Sequence, residues 1–159
     1  MSLRQELEAE QVRHLDLNGC CLVESGTTVR ETLVQMRAAG GRSALIVREQ
    51  PQRQLIGIFT ERDVMRRVAV EPQTLDEPVD TVMTAQPVTV LPDTSAADAL
   101  WLMDDHHFRN LPVIDRQGNI LGDMTYASII QYLAARYPVE VLNRSARPDQ
   151  FPRKAEGGD

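Results

Sequence analysis

The residues with the clearest binding chemistry form a short run, Thr60-Glu61-Arg62-Asp63, directly after an apolar segment that begins at Gly57. Where a strand passes into a helix, the first helix amides are free and carry a partial positive charge that suits a phosphate. Thr60 adds a hydroxyl, and Arg62 adds a cation that can reach a phosphate. Asp63 adds a carboxylate that can accept both hydrogens of a ribose diol. This spacing fits a nucleotide site.

The same run also fits a purely structural role. Thr60-x-x-Asp63 is a capping box, in which the hydroxyl and the carboxylate satisfy the orphan amides of the helix, an effect worth about 1 kcal/mol. The two roles are compatible, and the residues alone leave both open.

Other reactive side chains form no convincing constellation. Cys20 and Cys21 are adjacent, which is poor geometry for a disulfide, and are interpreted as small buried side chains, with a redox pair or soft-metal ligands as the alternative. His14, His106 and His107 belong to no Ser/His/Asp or Cys/His pattern. No zinc-type ligand spacing and no P-loop is present. The sequence therefore predicts no catalytic residue and no metal.

The polar run sits within an internal duplication. Shifted by 67 positions, residues 21–48 align with 88–115 without a gap, and a loop that is two residues longer in the first copy then changes the shift to 65. The aligned identities include Val23 and Val90, Thr27 and Thr94, Leu33 and Leu100, Met36 and Met103, Arg42 and Arg109, Gly57 and Gly122, and Thr60 and Thr125. Such self-similarity indicates two copies of one structural unit.

Each copy predicts the element order β-α-β-β-α. The strands are expected at about 20–24, 43–47 and 54–59 in the first copy and at 87–91, 110–114 and 119–124 in the second. The first helix of each copy shows apolar spacing of three and four and opens with a capping box, at Thr28 and at Ser95. The second helices are expected at 61–69 and 126–136.

The predicted organisation is one module built from two repeats. An N-terminal helical segment covers 1–15, the first repeat 16–70, a linker with two prolines and three acids 71–79, the second repeat 80–137, and a loosely ordered tail 138–159. A unit of about sixty residues buries only a modest share of its surface. We therefore expect the two copies to pack sheet to sheet around one shared core.

Composition narrows the class of protein. Of 159 residues, 42% are hydrophobic and 25% are charged, which is ordinary for a globular domain and argues against a disordered, collagen-like or coiled-coil chain. The net charge of −6 argues against a nucleic-acid partner, because proteins that bind the phosphate backbone usually carry a basic face. No apolar run approaches a membrane span and no signal peptide is visible. The sequence predicts a cytoplasmic protein.

Several motifs together resemble the cystathionine-β-synthase (CBS) domain. They are Val82-Met83-Thr84, Pro87 to Thr94, Leu111-Pro112-Val113-Ile114-Asp115, Gly122-Asp123-Met124-Thr125 and, in the first copy, Gly57 to Val64. The resemblance covers about residues 12–136. It implies a mixed α+β fold of the α/β class, in which two tandem repeats form a disc-like module, also called a Bateman module. Such modules bind adenine nucleotides or related adenosyl ligands and regulate a partner.

The resemblance also implies two clefts between the copies. The first pairs Thr60, Arg62 and Asp63 with Val88, Arg109 and Asn110, where the backbone near Val88 would meet the base and Arg109 the phosphates. The second, weaker cleft pairs Thr125 and Ser128 with Cys21, Arg42 and Ser43. Here the sequence departs from the family pattern, because Ser128 stands in place of the ribose-binding Asp and Asp123 places a charge on the strand before the turn, where the first copy has Ile58.

The expected function is that of a non-catalytic regulatory module, which senses AMP, ADP, ATP or a related adenosyl ligand and signals to a separate regulated chain. The resemblance further implies a homodimer formed by the closing helices, whose apolar residues are Val64, Met65, Val68, Ile129, Ile130, Tyr132 and Leu133. The alternative is a ligand-free dimerisation module. An enzyme or a metal-binding protein is less favoured by the residues.

Overall fold

Apolar, β-branched segments of the first copy form the larger sheet of the molecule. The computed structural model describes residues 2–136. The sheet has the strand order β1-β2-β3-β4, with the strands β1 Cys20–Glu24, β2 Ser43–Arg48, β3 Gln54–Thr60 and β4 Thr84–Ala85. Strands β1 and β2 run parallel, while β2/β3 and β3/β4 are antiparallel.

The second copy contributes an antiparallel pair, β5 Asn110–Ile114 and β6 Ile120–Thr125. The predicted strand at 87–91 is wrong, since only Val90 forms a bridge, to Val113. The Val90 N–H donates to the Pro112 carbonyl at 3.0 Å. Pro87 and Pro92 flank this segment, and proline has no N–H to give to a strand ladder.

Helices cover one face of each copy. The α-helices are α1 Leu3–Ala9, α2 Val29–Ala39, α3 Glu61–Asp63, α4 Ala96–His106 and α5 Tyr126–Arg136. Single 3₁₀ turns cover Val12–His14, Pro72–Asp76 and Val79–Thr81. The helix predicted at 61–69 begins as expected but continues after α3 as a π-helical turn, Val64–Val68. The Thr28 and Ser95 hydroxyls cap α2 and α4 as predicted, by accepting the N–H groups of Glu31 and Asp98. The tail predicted at 138–159 lies outside the described residues.

Each sheet is completed by the segment that precedes the other copy. Strand β4, which leads into the second copy, pairs with β3 of the first copy. The segment before β1 lies along β6, where the Asp123 N–H donates to the Leu17 carbonyl at 3.0 Å and Asn18 forms a bridge to Asp123. This exchange ties the two copies into one structure.

The exchanged segments pass close to two equivalent glycines, Gly57 and Gly122. A Cβ on Gly122 would lie 2.3 Å from the Leu17 carbonyl oxygen, and one on Gly57 would lie 2.3 Å from the Met83 sulfur. Gly122 also has φ of +148°, a backbone conformation that side chains disfavour. The absence of a side chain at Gly122 and Gly57 therefore allows the segments that contain Leu17 and Met83 to pack against the strands.

The core differs from the single shared core expected from the sequence. Most of the buried apolar side chains form two clusters, one per copy, whereas Leu45, Val47 and Ile58 are buried outside both. The first is Val23, Val29, Met36, Ala44, Ile46, Phe59, Val68, Val79 and Val82. The second is Leu7, Val12, Leu15, Leu17, Val90, Ala96, Ala99, Met103, Leu111, Val113, Met124 and Ile129. The side chain of Ser43 on the first sheet is hydrogen-bonded to Asp123 on the second, which links the two sheets outside these clusters.

Candidate functional site

The Thr60 turn joins the end of β3 to the start of α3, and its side chains close on one another. The Thr60 N–H donates to Asp63 Oδ2 at 3.0 Å, and the Thr60 hydroxyl lies 3.4 Å from the same oxygen. Both bonds of the capping box are present. The structural role weighed from the sequence is therefore realised in this turn, with Asp63 buried and Thr60 half-buried.

Asp63 also holds a second segment. The Thr84 hydroxyl on β4 donates to Asp63 Oδ1 at 3.2 Å. One carboxylate thus caps α3 and fastens the strand that leads into the second copy. Sequence reasoning missed Thr84. The repeat alignment, extended upstream with the shift of 67, pairs Thr84 with Leu17. Leu17 lies along β6 of the second copy, so the alignment indicates the equivalent place for Thr84, along β3 of the first copy.

In the equivalent turn of the second copy, the side chain of Ser128 is already hydrogen-bonded within the protein. The Thr125 N–H donates to Ser128 Oγ at 3.0 Å, and the Ser128 hydroxyl donates to the Asp16 carbonyl at 2.6 Å. A serine hydroxyl has one hydrogen to donate, so Ser128 has none left for a ligand. Ser128 therefore fastens the segment before β1, as Asp63 fastens β4, but adds no negative charge.

Residues predicted for opposite clefts meet at Asp123. Strand pairing places Ser43 opposite Thr60 and Asn110 opposite Thr125. The Ser43 hydroxyl and the Asn110 side-chain amide both donate to Asp123 Oδ2, each at 2.8 Å. Ser43 belongs to one sheet and Asn110 to the other, so the Asp123 carboxylate bridges the two copies where their sheets face each other.

The Asp123 carboxylate is almost completely enclosed. The residue is 1% exposed, and no hydrogen bond within residues 2–136 reaches its second oxygen, Oδ1. Burial raises the pKa of Asp123 to about 6, against the opposing effect of hydrogen bonds from Asn110, Ser43 and the Leu111 backbone. The sequence revealed a charge at this position but not its burial. The repeat alignment did carry a signal of this burial, because Asp123 is aligned with the apolar residue Ile58.

The other residues predicted for the first cleft make no polar side-chain contact with Thr60 or Asp63 in the described part of the chain. Arg62, Val88 and Arg109 have exposed side chains, and within residues 2–136 none of them forms a hydrogen bond or ion pair with Thr60 or Asp63.

Of the other residues predicted for the second cleft, Cys21 and Ser43 lie on the first sheet and Arg42 directly precedes β2. Arg42 forms a loose, exposed ion pair with Glu61, with 3.9 Å between Nε and Oε1. The Cys21 thiol lies 3.8 Å from the Ser43 carbonyl oxygen. Burial, with a smaller contribution from the charge of Asp123 and from Cys21, raises the pKa of Cys20 to about 12. Because the thiolate is the reactive and metal-binding form, this environment disfavours a redox pair.

Two surface depressions lie elsewhere. One of about 310 Å³ is lined by Arg13, Pro92, Asp115, Arg116, Gln117 and Leu121. One of about 130 Å³ is lined by Leu17, Asn18, Cys20, Leu22, Ile120, Leu121 and Gly122. Neither contains a predicted cleft residue. Among residues 2–136 no cluster of three or more His, Cys, Asp or Glu side chains is arranged for a metal ion, and no helix there is long and apolar enough to cross a bilayer.

Comparison with known families decides the identity of the repeats. The family model of the CBS domain matches residues 22–70 and again residues 79–135. The chain belongs to the CBS-domain family. Its two copies form a CBS pair of mixed α+β fold, as the sequence motifs indicated.

Individual relatives give the same picture. An uncharacterized protein of Methanopyrus kandleri is 36% identical over 118 residues, which are 72% of this chain and 59% of that protein. The chain thus spans little more than half of that relative. Among solved structures, a CBS domain protein from Pyrobaculum aerophilum complexed with AMP matches with a TM-score of 0.68 at 20% identity, covering 79% of this chain and 98% of that one.

A second solved structure holds different ligands. It is the CBS domain pair of protein MJ0100 in complex with 5′-methylthioadenosine and S-adenosyl-L-methionine, with a TM-score of 0.68 at 17% identity. The match covers 79% of this chain and 97% of that one. At these identities the likeness establishes the shared fold.

Proposed function

We propose that this CBS pair is a non-catalytic regulatory module that binds an adenine nucleotide or related adenosyl ligand between its two copies and signals to a partner chain. The observation that carries the proposal is the asymmetry of the two turns. Asp63 offers a carboxylate with spare acceptor capacity, whereas Ser128 has committed its only hydrogen to Asp16. One tight site, at the Thr60 turn, is therefore expected.

The charges around the first turn suit a ribose and a phosphate. Asp63 can accept ribose hydroxyls, while exposed Arg62 and Arg109 supply guanidinium groups that bind phosphate oxygens in pairs. Ligands of solved CBS pairs of this fold span AMP, 5′-methylthioadenosine and S-adenosyl-L-methionine. The common part of these ligands is the adenosyl group, and this group is the one we assign to the Thr60 turn.

The test compares the two turns in one assay. Asp63→Asn keeps the shape of the side chain and an oxygen for the capping bonds but removes the charge, and Ser128→Ala is its counterpart in the other copy. Loss of a charge-assisted hydrogen bond is worth about 1.5–3 kcal/mol, so Asp63→Asn is expected to weaken AMP binding by about tenfold or more in calorimetry. Ser128→Ala should change it by less.

Circular dichroism and the unfolding midpoint of each variant without ligand provide the control for folding. Equal AMP affinity in the wild type and in a folded Asp63→Asn variant would refute the assignment of the site.

Exposed apolar side chains support a second role, homodimerisation. They recur at equivalent positions of the two copies, with Val34 and Trp101 exposed by 55% and 63%, and Met65 and Ile130 by 70% and 65%. Paired apolar positions on the helical faces suit a two-fold contact between modules. Two of the residues expected in this contact, Val68 and Ile129, are instead buried in the cores of their own copies.

A further inference from the structure

A carboxylate is buried where the two proposed clefts meet, and nothing in the first copy corresponds to it. The Asp123 carboxylate accepts hydrogen bonds from Ser43 and Asn110. These are the chain neighbours of Arg42, which the sequence predicts for the second cleft, and of Arg109, to which the proposed function assigns phosphate binding. Because the Asp123 carboxylate is buried, its repulsion of a phosphate held at the exposed Arg109 is screened less than the repulsion between two surface charges.

Among the residues that the structure describes, no cation contributes to the pKa of this carboxyl. From β1 the ionisable neighbour is the Cys20 thiol, which is neutral at physiological pH because its pKa is raised to about 12. From β2 and β5 the contacts are the uncharged Ser43 hydroxyl and Asn110 amide. The segment before β1 presents only the Leu17 carbonyl, to the Asp123 backbone. Within residues 2–136, Oδ1 has no partner at all.

We infer that Asp123 is a specificity-determining residue, whose carboxylate opposes phosphate-bearing ligands, so that AMP binds with uptake of a proton while phosphate-free adenosyl ligands bind independently of it. The inference rests on the proposed function and names its ligand class. Protonation removes the opposing charge and gives the unpartnered oxygen a hydrogen to donate. At neutral pH the Asp123 carboxylate therefore weakens the binding of AMP but not that of ligands such as 5′-methylthioadenosine. A module without this carboxylate would discriminate less against AMP.

The magnitude follows from the environment of the carboxyl. With a pKa of about 6, about one molecule in thirty carries the protonated form at pH 7.5, and a ligand that requires this form loses affinity in proportion. Removing the charge is therefore expected to strengthen AMP binding by about tenfold or more at pH 7.5. At pH 5.0, where most molecules are protonated, the gain should fall below about threefold.

The experiment measures AMP and adenosine affinities by calorimetry for the wild type and Asp123→Asn at pH 7.5 and 5.0. The ratio of the two proteins is taken at each pH, so that titration of the AMP phosphate itself cancels. Asp104→Asn, which removes an exposed carboxylate from α4, is the matched control and should give ratios near one. Asp123→Ile, with the residue that the first copy carries at position 58, is the second variant if the amide does not fold.

The expected result is an AMP ratio that depends on pH beside an adenosine ratio near one at both pH values. An AMP ratio near one at pH 7.5, with AMP and adenosine both bound, overturns the inference and leaves the proposed function standing. Failure of the wild type and of both Asp123 variants to bind AMP or adenosine overturns the inference. It overturns the proposed function as well only when ATP, 5′-methylthioadenosine and S-adenosyl-L-methionine also fail to bind.

Discussion

Replacing Asp123 by asparagine is expected to stabilise the folded protein at neutral pH. Asp123 is 1% exposed and its carboxylate has one oxygen without a hydrogen bond. Charging such a group inside the protein costs more than charging it in the unfolded chain. Asparagine has nearly the same shape, keeps an oxygen for Ser43 and Asn110, and carries no charge. The variant therefore removes the cost of ionisation and little else.

The size of the effect follows from the pKa of Asp123. Burial raises this pKa from 3.8 to about 6, and each pKa unit corresponds to about 1.4 kcal/mol, so the ionised carboxyl costs about 3 kcal/mol of folding free energy at pH 7.5. Part of the gain is lost because the amide is itself a buried polar group. We expect Asp123→Asn to raise the free energy of unfolding by about 1–3 kcal/mol at pH 7.5.

The pH dependence has a defined sign. The folded state binds this proton more tightly than the unfolded state, so the contribution of Asp123 to stability is greatest below pH 4 and is lost as the pH rises towards 6. For Asp80, burial raises the pKa, but hydrogen bonds from Ser25 and Gly26 and the charge of Arg48 lower it overall. Its contribution is lost only below the ordinary pKa of 3.8. The range from pH 4.5 to 7.5 therefore isolates Asp123.

The assay is urea unfolding followed by circular dichroism at pH 4.5, 5.5, 6.5 and 7.5. The difference between Asp123→Asn and the wild type should grow by about 2 kcal/mol from the lowest to the highest pH. Asp80→Asn is the control, because it weakens a carboxylate that accepts hydrogen bonds from Ser25 and Gly26, and it should destabilise the protein by about 1 kcal/mol at pH 7.5. Parallel pH profiles for the wild type and Asp123→Asn would refute the reasoning.

Further predictions concern the segment exchange, assembly and chemistry. Gly122→Ala should destabilise the protein by about 2–3 kcal/mol in urea, because its Cβ meets the Leu17 backbone at a positive φ. Gly57→Ala should cost less, since there the obstacle is a flexible side chain, and equal costs would count against this explanation. Light scattering should give twice the chain mass of 17.8 kDa, and Met65→Glu with Ile130→Glu should halve it; a monomeric wild type would contradict the dimer. Incubation with ATP and magnesium should yield no ADP or AMP above a blank, and hydrolysis that copurifies with the chain and is lost in Asp63→Asn would indicate an enzyme.

Local pattern was sufficient to predict most of the elements. The strands β1, β2, β3, β5 and β6 and the helix α5 lie within a residue or two of the expected ranges, because each has a clear apolar period. The helices α2 and α4 begin directly after their predicted capping residues. Thr28 and Ser95 are examples in which a single side chain determines where a helix begins. The failure at 87–91 shows the limit, since two prolines outweighed an alternating apolar pattern.

The parts that escaped prediction depend on residues far apart in the chain. The Thr84–Asp63 bond and the Ser128–Asp16 bond both arise from the exchange of segments between copies. No local period encodes this exchange. The bridge from Ser43 through Asp123 to Asn110 likewise requires the two sheets to face each other. The alignment of the copies revealed the charge at 123, but only the fold shows that it is buried.

The central claim is tested most directly by calorimetric titration of the wild-type protein with AMP, ATP, adenosine, 5′-methylthioadenosine and S-adenosyl-L-methionine. The account predicts that at least one of these ligands saturates a single tight site per chain, and that GMP at the same concentration does not. A ligand that binds only the folded state should also raise the unfolding temperature as its concentration increases. No saturable heat and no shift in unfolding temperature with any of the five ligands would contradict the account.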